Sequence, residues 1–252
     1  MSQYVRRKMA KTRELLKNKR LRAHVPETVW LNKKNLKRML DRYGMVYVKP
    51  DMGTHGRGVI KVEVLGRPDS TTYRYQTHQD NVIVDPSFAS FFEQLDRATK
   101  GSVRYLVQQG IPLLKFHGRP FDIRVMVQKS RKGKWVATAM IGRVARKGRV
   151  VTNYHSGGTP RPVPRLLTKH VKPAKQPRFL SRLEKLGVET AGQLAKKYPG
   201  VREIGLDVAL GEDKHPWILE VNTRPDPYLF RFLGDRRVHR RVLRYARANG
   251  RL

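Results

Sequence analysis

The stretch that decides the fold is Val46-Tyr47-Val48-Lys49-Pro50-Asp51-Met52-Gly53-Thr54-His55-Gly56-Arg57-Gly58-Val59-Ile60. A β-branched and aromatic run leads to a lysine, then to a glycine-rich turn, then to a second apolar run. Short apolar runs bounded by Gly and Pro read as strands. Three glycines within six residues let the backbone approach a ligand closely and aim its N–H groups at an anion. A lysine at the end of the incoming strand adds a mobile positive charge beside them. The combination suits a polyphosphate, although many glycine-rich hairpins bind nothing. It is not a P-loop, which needs Gly-Lys-Ser/Thr opening a helix. Nor is it a dinucleotide fingerprint, which also demands a helix after the turn. A strand–glycine loop–strand over phosphates points instead to a different kind of nucleotide cradle.

The composition narrows the partners. The 252 residues allow one large domain or two lobes, and 39% are hydrophobic, enough for a folded core. The 54 Lys and Arg against 20 Asp and Glu give a net charge of +34. Such a chain attracts polyanions: nucleic acid, anionic polymers, acidic substrates. There is no cysteine, which excludes disulfides, zinc thiolates and thiol catalysis. No apolar run approaches the roughly 18 residues of a membrane span. The first residues lack the apolar core of a signal peptide, so the expected location is cytoplasmic.

Working outward, residues 3–24 are rich in Lys and Arg around Val5, Met9, Leu15 and Leu16. They predict a basic amphipathic helix, either packed on the edge of the domain or touching an anionic surface. Pro26-Glu27-Thr28 marks a boundary, with Thr28 capping a helix that holds Leu31, Leu36, Met39 and Leu40 and stops at Gly44. Strands follow at Val59–Val64, Thr71–Tyr75 and Val82–Val84. Ser87 is placed to cap a helix running to about Thr99. Tyr105 to Leu113 is a strand that breaks at Gly110-Ile111-Pro112, the expected border between lobes. Phe121 to Val127 alternates cleanly, so Asp122 and Arg124 share a face. A long strand, Trp135 to Val144, ends at Gly142-Arg143. Residues 152–158 form a polar glycine-rich loop, and 160–178, with five prolines, read as an exposed connection. Two helices are expected near 179–186 and 190–198. A strand pair at 204–210 and 217–222 precedes a basic helix from about Tyr228.

Within that strand pair, Glu220 and Asn222 are two apart and face the same way. Asp207 on the preceding strand can meet them. Two carboxylates and an amide oxygen suit Mg²⁺ or Mn²⁺. The competing reading is a salt bridge to one of the many arginines, since a carboxylate among apolar residues is costly unless paired.

Taken together, Lys49-Pro50 with Gly53, Gly56, Arg57 and Gly58, then Gln108-Gln109-Gly110-Ile111, Phe121-Asp122-Ile123-Arg124, Asp207 and Glu220-Val221-Asn222 follow the order of motifs in the ATP-grasp superfamily. The chain most resembles its YheC/YheD group, described as endospore coat-associated; Pro26-Glu27-Thr28, Asn153-Tyr154-His155-Ser156-Gly157-Gly158 and Gly205-Leu206-Asp207 look like motifs of that group. The resemblance runs over about residues 25–235. It implies an α+β, ATP-grasp fold, two lobes gripping ATP between them. The expected division is a basic N-terminal segment at 1–25, lobes at 26–109 and 110–235, and a basic helix at 236–252. By the resemblance, Lys49, Gly53, Thr54, Gly56, Arg57 and Gly58 would cover the phosphates of ATP, and Gln108, Gln109, Gly110 and Ile111 would line the adenine pocket. Asp207, Glu220 and Asn222 would hold Mg²⁺ or Mn²⁺. Arg124 and Arg143 would stabilise phosphates or a developing acyl phosphate. Asp122, Asn153, His155, Gly157, Gly158 and Arg224 are candidates for substrate binding. Two features depart from the pattern. Gln108-Gln109 stands where many relatives carry a glutamate, and only about 25 residues precede Pro26, so either the two lobes bind the whole substrate or a partner completes the site.

The implied activity is an ATP-dependent carboxylate–amine or carboxylate–thiol ligase acting on an acidic substrate. Two other readings fit the same residues: a polyanion-binding protein whose nucleotide site is vestigial or regulatory, and a kinase with a hydroxyl acceptor. No nucleophilic Ser, Cys or His triad is evident. His55 and His155 read as substrate contacts or as ordinary loop residues.

Overall fold

The computed structural model describes residues 3–54, 56–66, 70–77, 81–148, 152 and 157–252. It contains two antiparallel sheets. The first holds β1 (Thr28–Trp30), β2 (Met45–Pro50), β3 (Ile60–Leu65), β4 (Thr72–Thr77), β5 (Val82–Asp85) and β6 (Tyr105–Gln109), in the order β1-β6-β2-β3-β4-β5. The second holds β8 (Arg119–Lys129), β9 (Trp135–Val144), β10 (Thr159–Arg161), β11 (Glu203–Leu210) and β12 (Pro216–Asn222), in the order β10-β9-β8-β11-β12, with the short β7 (Lys115–Phe116) beside β8.

Each sheet buries one face under helices. Leu36, Met39 and Leu40 of α3 (Lys33–Tyr43) and Phe91 and Leu95 of α4 (Phe88–Thr99) pack on Val46, Val48, Ile60, Val62 and Val107. In the second lobe, α5 (Val163–Leu167) and α6 (Gln176–Lys197) cover Ile123, Val125, Val127, Leu206 and Val208. The opposite face of this sheet divides in two. Met126, Ala139 and Ile141 lie under Leu229, Phe230 and Val242, the last from α7 (Arg236–Ala248). The rest of that face, carrying Asp122, Arg124, Arg143 and Asp207, is polar and looks toward the first lobe.

Several expectations are corrected. Thr28 starts a strand, not a helix; Asn32 caps α3 instead, its side chain accepting a hydrogen bond from the Asn35 N–H at 2.7 Å. The basic N-terminal segment holds two helices, α1 (Lys8–Leu16) and α2 (Lys19–Arg22), because Asn18 restarts the chain by accepting from the N–H groups of Arg20 and Leu21. Residues 160–178 are not simply an exposed connection, since Val163, Leu166, Leu167 and Val171 are buried. The helix expected from Tyr228 starts at Arg236 with Asp235 as cap; Tyr228–Leu233 is a 3₁₀ turn.

The two helices expected after residue 178 are one helix of 22 residues, and Gly187 shows why. A Cβ at Gly187 would lie 2.8 Å from Val127 Cγ2 and 3.1 Å from Val125 Cγ1. The glycine therefore lets α6 lie close on β8 rather than ending it. Gly187→Val is expected to lower stability by about 1–3 kcal/mol through overpacking, read as an earlier urea midpoint with an unchanged slope.

Candidate active site

Lys49 stands at the end of β2, and the chain then folds back on itself before β3. The turn requires glycine at position 58: its φ is +72°, and a Cβ there would come within 2.9 Å of the Tyr105 hydroxyl. Lys49, Gly53, Thr54, Gly56 and Arg57 line one side of a cavity of about 230 Å³. Asp122, Arg124, Arg143, Asp207, Glu220, Asn222 and Arg224 line the other. Tyr47, Val59, Ile111, Leu113, Leu219 and Leu229 supply its apolar walls.

The second lobe's wall is an ion network across three strands. Asp122 faces Arg143 on β9, and Arg124 faces Asp207 on β11. Arg124 donates from Nε and Nη2 to the two oxygens of Asp207, the second bond at 3.0 Å. Arg143 donates to both oxygens of Asp122, Nε to Oδ1 at 2.9 Å, and its Nη2 lies 3.1 Å from Asp207 Oδ2. All four residues are buried. Burial opposes the charge of Asp207, but Arg124 and Arg143 outweigh it and hold the carboxyl below the usual range. Burial also opposes the charge of Arg143, and Asp122 and Asp207 outweigh it, raising its pKa further. Gly205 makes room for this arrangement: a Cβ there would sit 3.0 Å from Arg124 Cδ.

β12 contributes a half-buried carboxylate. Glu220 pairs in register with Asp207, and Asn222 with Gly205, so both lie beside the network and line the cavity. The nearest cation to Glu220 is Lys8, whose Nζ lies 3.7 Å from Oε1 and donates to Gly53 O at 3.4 Å. Lys8 was not singled out by sequence, because nothing separates it from its basic neighbours. It is placed by its own backbone: the N–H groups of Lys8 and Met9 donate to O and Oδ1 of Asp51, while that of Val5 donates to Thr223 Oγ1. The N-terminal segment thus ties the glycine loop to the end of β12.

Lys49 is half-buried and donates to Gln108 Oε1 at 2.6 Å. Burial lowers its pKa to about 8, against the pull of Glu220. Lys11, almost fully buried, is lowered to about 8 for the same reason. Of the residues expected at the adenine, only Ile111 lines the cavity. Gln108 bridges Lys49 and the Thr28 hydroxyl, and the N–H groups of Gln109 and Gly110 are taken by Glu27 O and Met45 O. These residues hold the strands together where the lobes meet. Thr152, not anticipated, lines the cavity; Gly157 and Gly158 do not, and Asn153 and His155, like His55, lie outside the described residues.

Among the described residues, no group of three or more His, Asp or Glu is arranged to hold a metal. The donors facing the cavity are nevertheless hard oxygens: Glu220 and Asn222 directly, with Asp207 behind them in its arginine pairs. This set fits Mg²⁺ rather than a soft metal.

Two α+β lobes closing on one polar cavity, a lysine and glycine loop on one side and paired carboxylates on the other, define the ATP-grasp fold. D-cycloserine synthetase DcsG shares it with a TM-score of 0.59 at 11% identity, over 96% of this chain and 70% of that one. The ATP-grasp ligase PsnB, solved with a phosphomimetic variant of its minimal precursor, Mg and ADP, shares it with a TM-score of 0.51 at 12% identity, over 95% and 58%. The chain belongs to the YheC/D-like ATP-grasp family, whose sequence model matches residues 1–248. That match is wider than the 25–235 expected and takes in the N-terminal segment and α7. The endospore coat-associated protein YheD of Bacillus subtilis (strain 168) is 30% identical over 192 residues, 75% of this chain and 41% of YheD. YheC of the same organism is 25% identical over 203 residues, 80% of this chain and 55% of YheC. The chain therefore spans about half the length of these curated relatives. Among the described residues, no helix is long and apolar enough to cross a membrane.

Because burial lowers the Lys49 pKa to about 8, its cation is present below that pH and lost above it. Nucleotide affinity should fall as pH rises through 8, and binding at that pH should take up protons, seen by calorimetry in buffers of differing ionisation heat. Lys49→Met should remove most of the uptake; uptake that persists in full would assign it elsewhere.

Proposed function

We propose that this chain is an ATP- and Mg²⁺-dependent ligase that activates a carboxylate as an acyl phosphate for attack by an amine or thiol. One observation carries the reading: Lys49 and the glycine loop face Glu220 and Asn222 across a single cavity whose floor is the Asp122–Arg143–Asp207–Arg124 network. In the first step a substrate carboxylate oxygen attacks the γ-phosphorus of ATP and ADP leaves. In the second an amine or thiol attacks the carbonyl carbon, inorganic phosphate leaves, and the nucleophile loses its proton. Neither step needs a protein nucleophile.

Lys49 and Lys8 would neutralise phosphate oxygens, and the glycine loop would aim N–H groups at them. Arg124 and Arg143 are already fixed by their aspartates, so their charges need no reorganisation as charge shifts during transfer. Glu220 and Asn222 would hold Mg²⁺, which supplies charge neutralisation on the transferring phosphoryl group. Tyr47, Val59, Ile111 and Leu219 offer an apolar slot for a base. Arg224, at the cavity edge, is placed for the acidic substrate.

Calorimetry with ATP, with and without Mg²⁺, tests the reading. Binding should depend on the metal, and Glu220→Gln should cut ADP release by about 100-fold or more while leaving the melting temperature nearly unchanged. Asp207→Asn should behave differently: it strips one partner from two buried guanidiniums and should cost about 3–5 kcal/mol of stability. Full ADP release by Glu220→Gln would remove Glu220 from the metal site.

An acidic substrate drawn by the +34 charge also predicts that KM rises with ionic strength, by several-fold from low to physiological salt. A KM that stays flat would rule out steering by charge.

A further inference from the structure

Helix α7 carries six arginines and no lysine between Arg236 and Ala248, and Asp235 is the one acidic residue in 227–252. The fold uses Arg241, which donates from Nε to Thr138 O at 2.7 Å. The other five, Arg236, Arg237, Arg240, Arg244 and Arg247, are exposed, and among the described residues their side chains have no ion pair, hydrogen bond or ring contact. They occupy the helix face opposite Val242 and Ala246, which are buried on the second sheet.

This face is electrostatically unfavourable as it stands. Arg236, Arg240 and Arg244 follow one another at four-residue spacing, where like charges repel. Arg236 and Arg237 lie at the positive end of the helix dipole, where acids are favoured, and the first turn has none. The charge extends beyond the helix. Asn249 Nδ2 donates to Arg202 O, which also accepts from the Lys129 N–H at the base of the β8–β9 hairpin. The tip of that hairpin exposes Arg131, Lys132 and Lys134. The two terminal segments differ here: α1 turns Lys8 and Lys11 inward, while α7 turns its cations out.

We infer that the outer face of α7, continued by the hairpin tip, is a docking surface for the phosphate backbone of nucleic acid. Guanidinium forks match phosphate oxygens in pairs of hydrogen bonds, and arginine to the exclusion of lysine is the choice such contacts favour. The stripe from Arg236 to Arg247 runs about 16 Å along the helix, close to five steps of about 3.4 Å along one strand. The exposed ring of Tyr228, just before the helix, offers a stacking surface. A membrane surface fits less well, because the apolar face that an interfacial helix would insert is buried in the fold. Contacts to phosphate alone read no sequence.

The test compares two double charge reversals in the full chain: Arg240→Glu with Arg244→Glu on α7, and Lys185→Glu with Lys196→Glu on exposed positions of α6. Fluorescence anisotropy with a labelled RNA and a labelled DNA oligonucleotide of about 30 residues is read over a salt series. The α7 pair should weaken binding at least about tenfold and lower the magnitude of the log–log salt slope by about 2, and the α6 pair should change affinity less than about threefold. The melting temperature of the α7 pair should not fall, since repulsion is being removed. Equal losses in both pairs would assign binding to total charge and overturn the inference. So would tight binding to vesicles of phosphatidylglycerol with little to either oligonucleotide, or no loss in the α7 pair.

Discussion

The Asp122–Arg143–Asp207–Arg124 network is the constraint on which the site depends. Four buried charges are tolerable only if each is paired in good geometry, because desolvation costs several kcal/mol per ion. Here the four cancel in sign, and each carboxylate accepts from at least one guanidinium. The pairing works only in the observed register, with Asp122 opposite Arg143 and Asp207 opposite Arg124. A slip of one residue would turn every charge into the apolar core beneath α6. The network therefore fixes three strands as firmly as the hydrophobic face does, and it explains Gly205, whose missing side chain leaves Arg124 its path to Asp207.

The register then decides what is left for chemistry. With both Asp207 oxygens engaged by arginine, the free acceptors at the floor of the cavity are Glu220 and Asn222, next along the sheet. The cation paired with Glu220, Lys8, comes from a segment whose Val5, Leu15 and Leu21 belong to the second lobe's core while its backbone is bonded to Asp51 of the first. A single strap thus sets the spacing between the glycine loop and the carboxylates. Lys11 of the strap and Lys49 of β2 sit where burial weakens their charge, and Lys49 lines the cavity, which thus holds a cation already partly desolvated. Such groups gain more from an arriving phosphate than hydrated surface lysines do.

The parts of this arrangement that obey local rules were legible in the sequence. Period-two alternation put Asp122 with Arg124, and Glu220 with Asn222, on shared faces, and the strand Trp135–Val144 has the bounds its composition predicts. The salt-bridge reading of the carboxylates and the metal reading both had a physical basis: Asp207 is bridged by Arg124 and Arg143, Glu220 lies 3.7 Å from Lys8, and all of them line the cavity with Asn222. What stayed hidden depends on contacts distant in sequence. Gly187 reads as a helix breaker until Val125 and Val127 are seen beneath it. Thr28 and Asn32 are both good caps, and only the pairing of Thr28 with Gln108 across β1 and β6 shows that the first is already in a strand. Lys8 is one cation in a basic run, and its role comes from Asp51, more than 40 residues away. Gln109 and Gly110 looked available to a base, but their N–H groups are spent on Glu27 and Met45.

The charge of the chain resolves into groups with different environments. Arg124 and Arg143 are neutralised inside the second lobe, and Lys8 and Lys49 line the cavity. The five arginines of α7 other than Arg241 face solvent and, among the described residues, have no charged partner. What holds α7 down besides its apolar face is a set of polar contacts: Gln128 to Val242 O, Arg241 to Thr138 O, and Arg251 to Glu203, whose carboxyl burial pushes up although Arg251 and Gln128 pull it down. Arg251 also reaches Pro225 O, in the turn that brings Arg224 and Asp226 to the cavity edge. The outer face of α7 can therefore carry repelling charges without loosening the helix, because its inner face and its end are anchored to the same strands and turn that build the site. A polyanion on that face would lie against an element joined directly to the wall of the cavity.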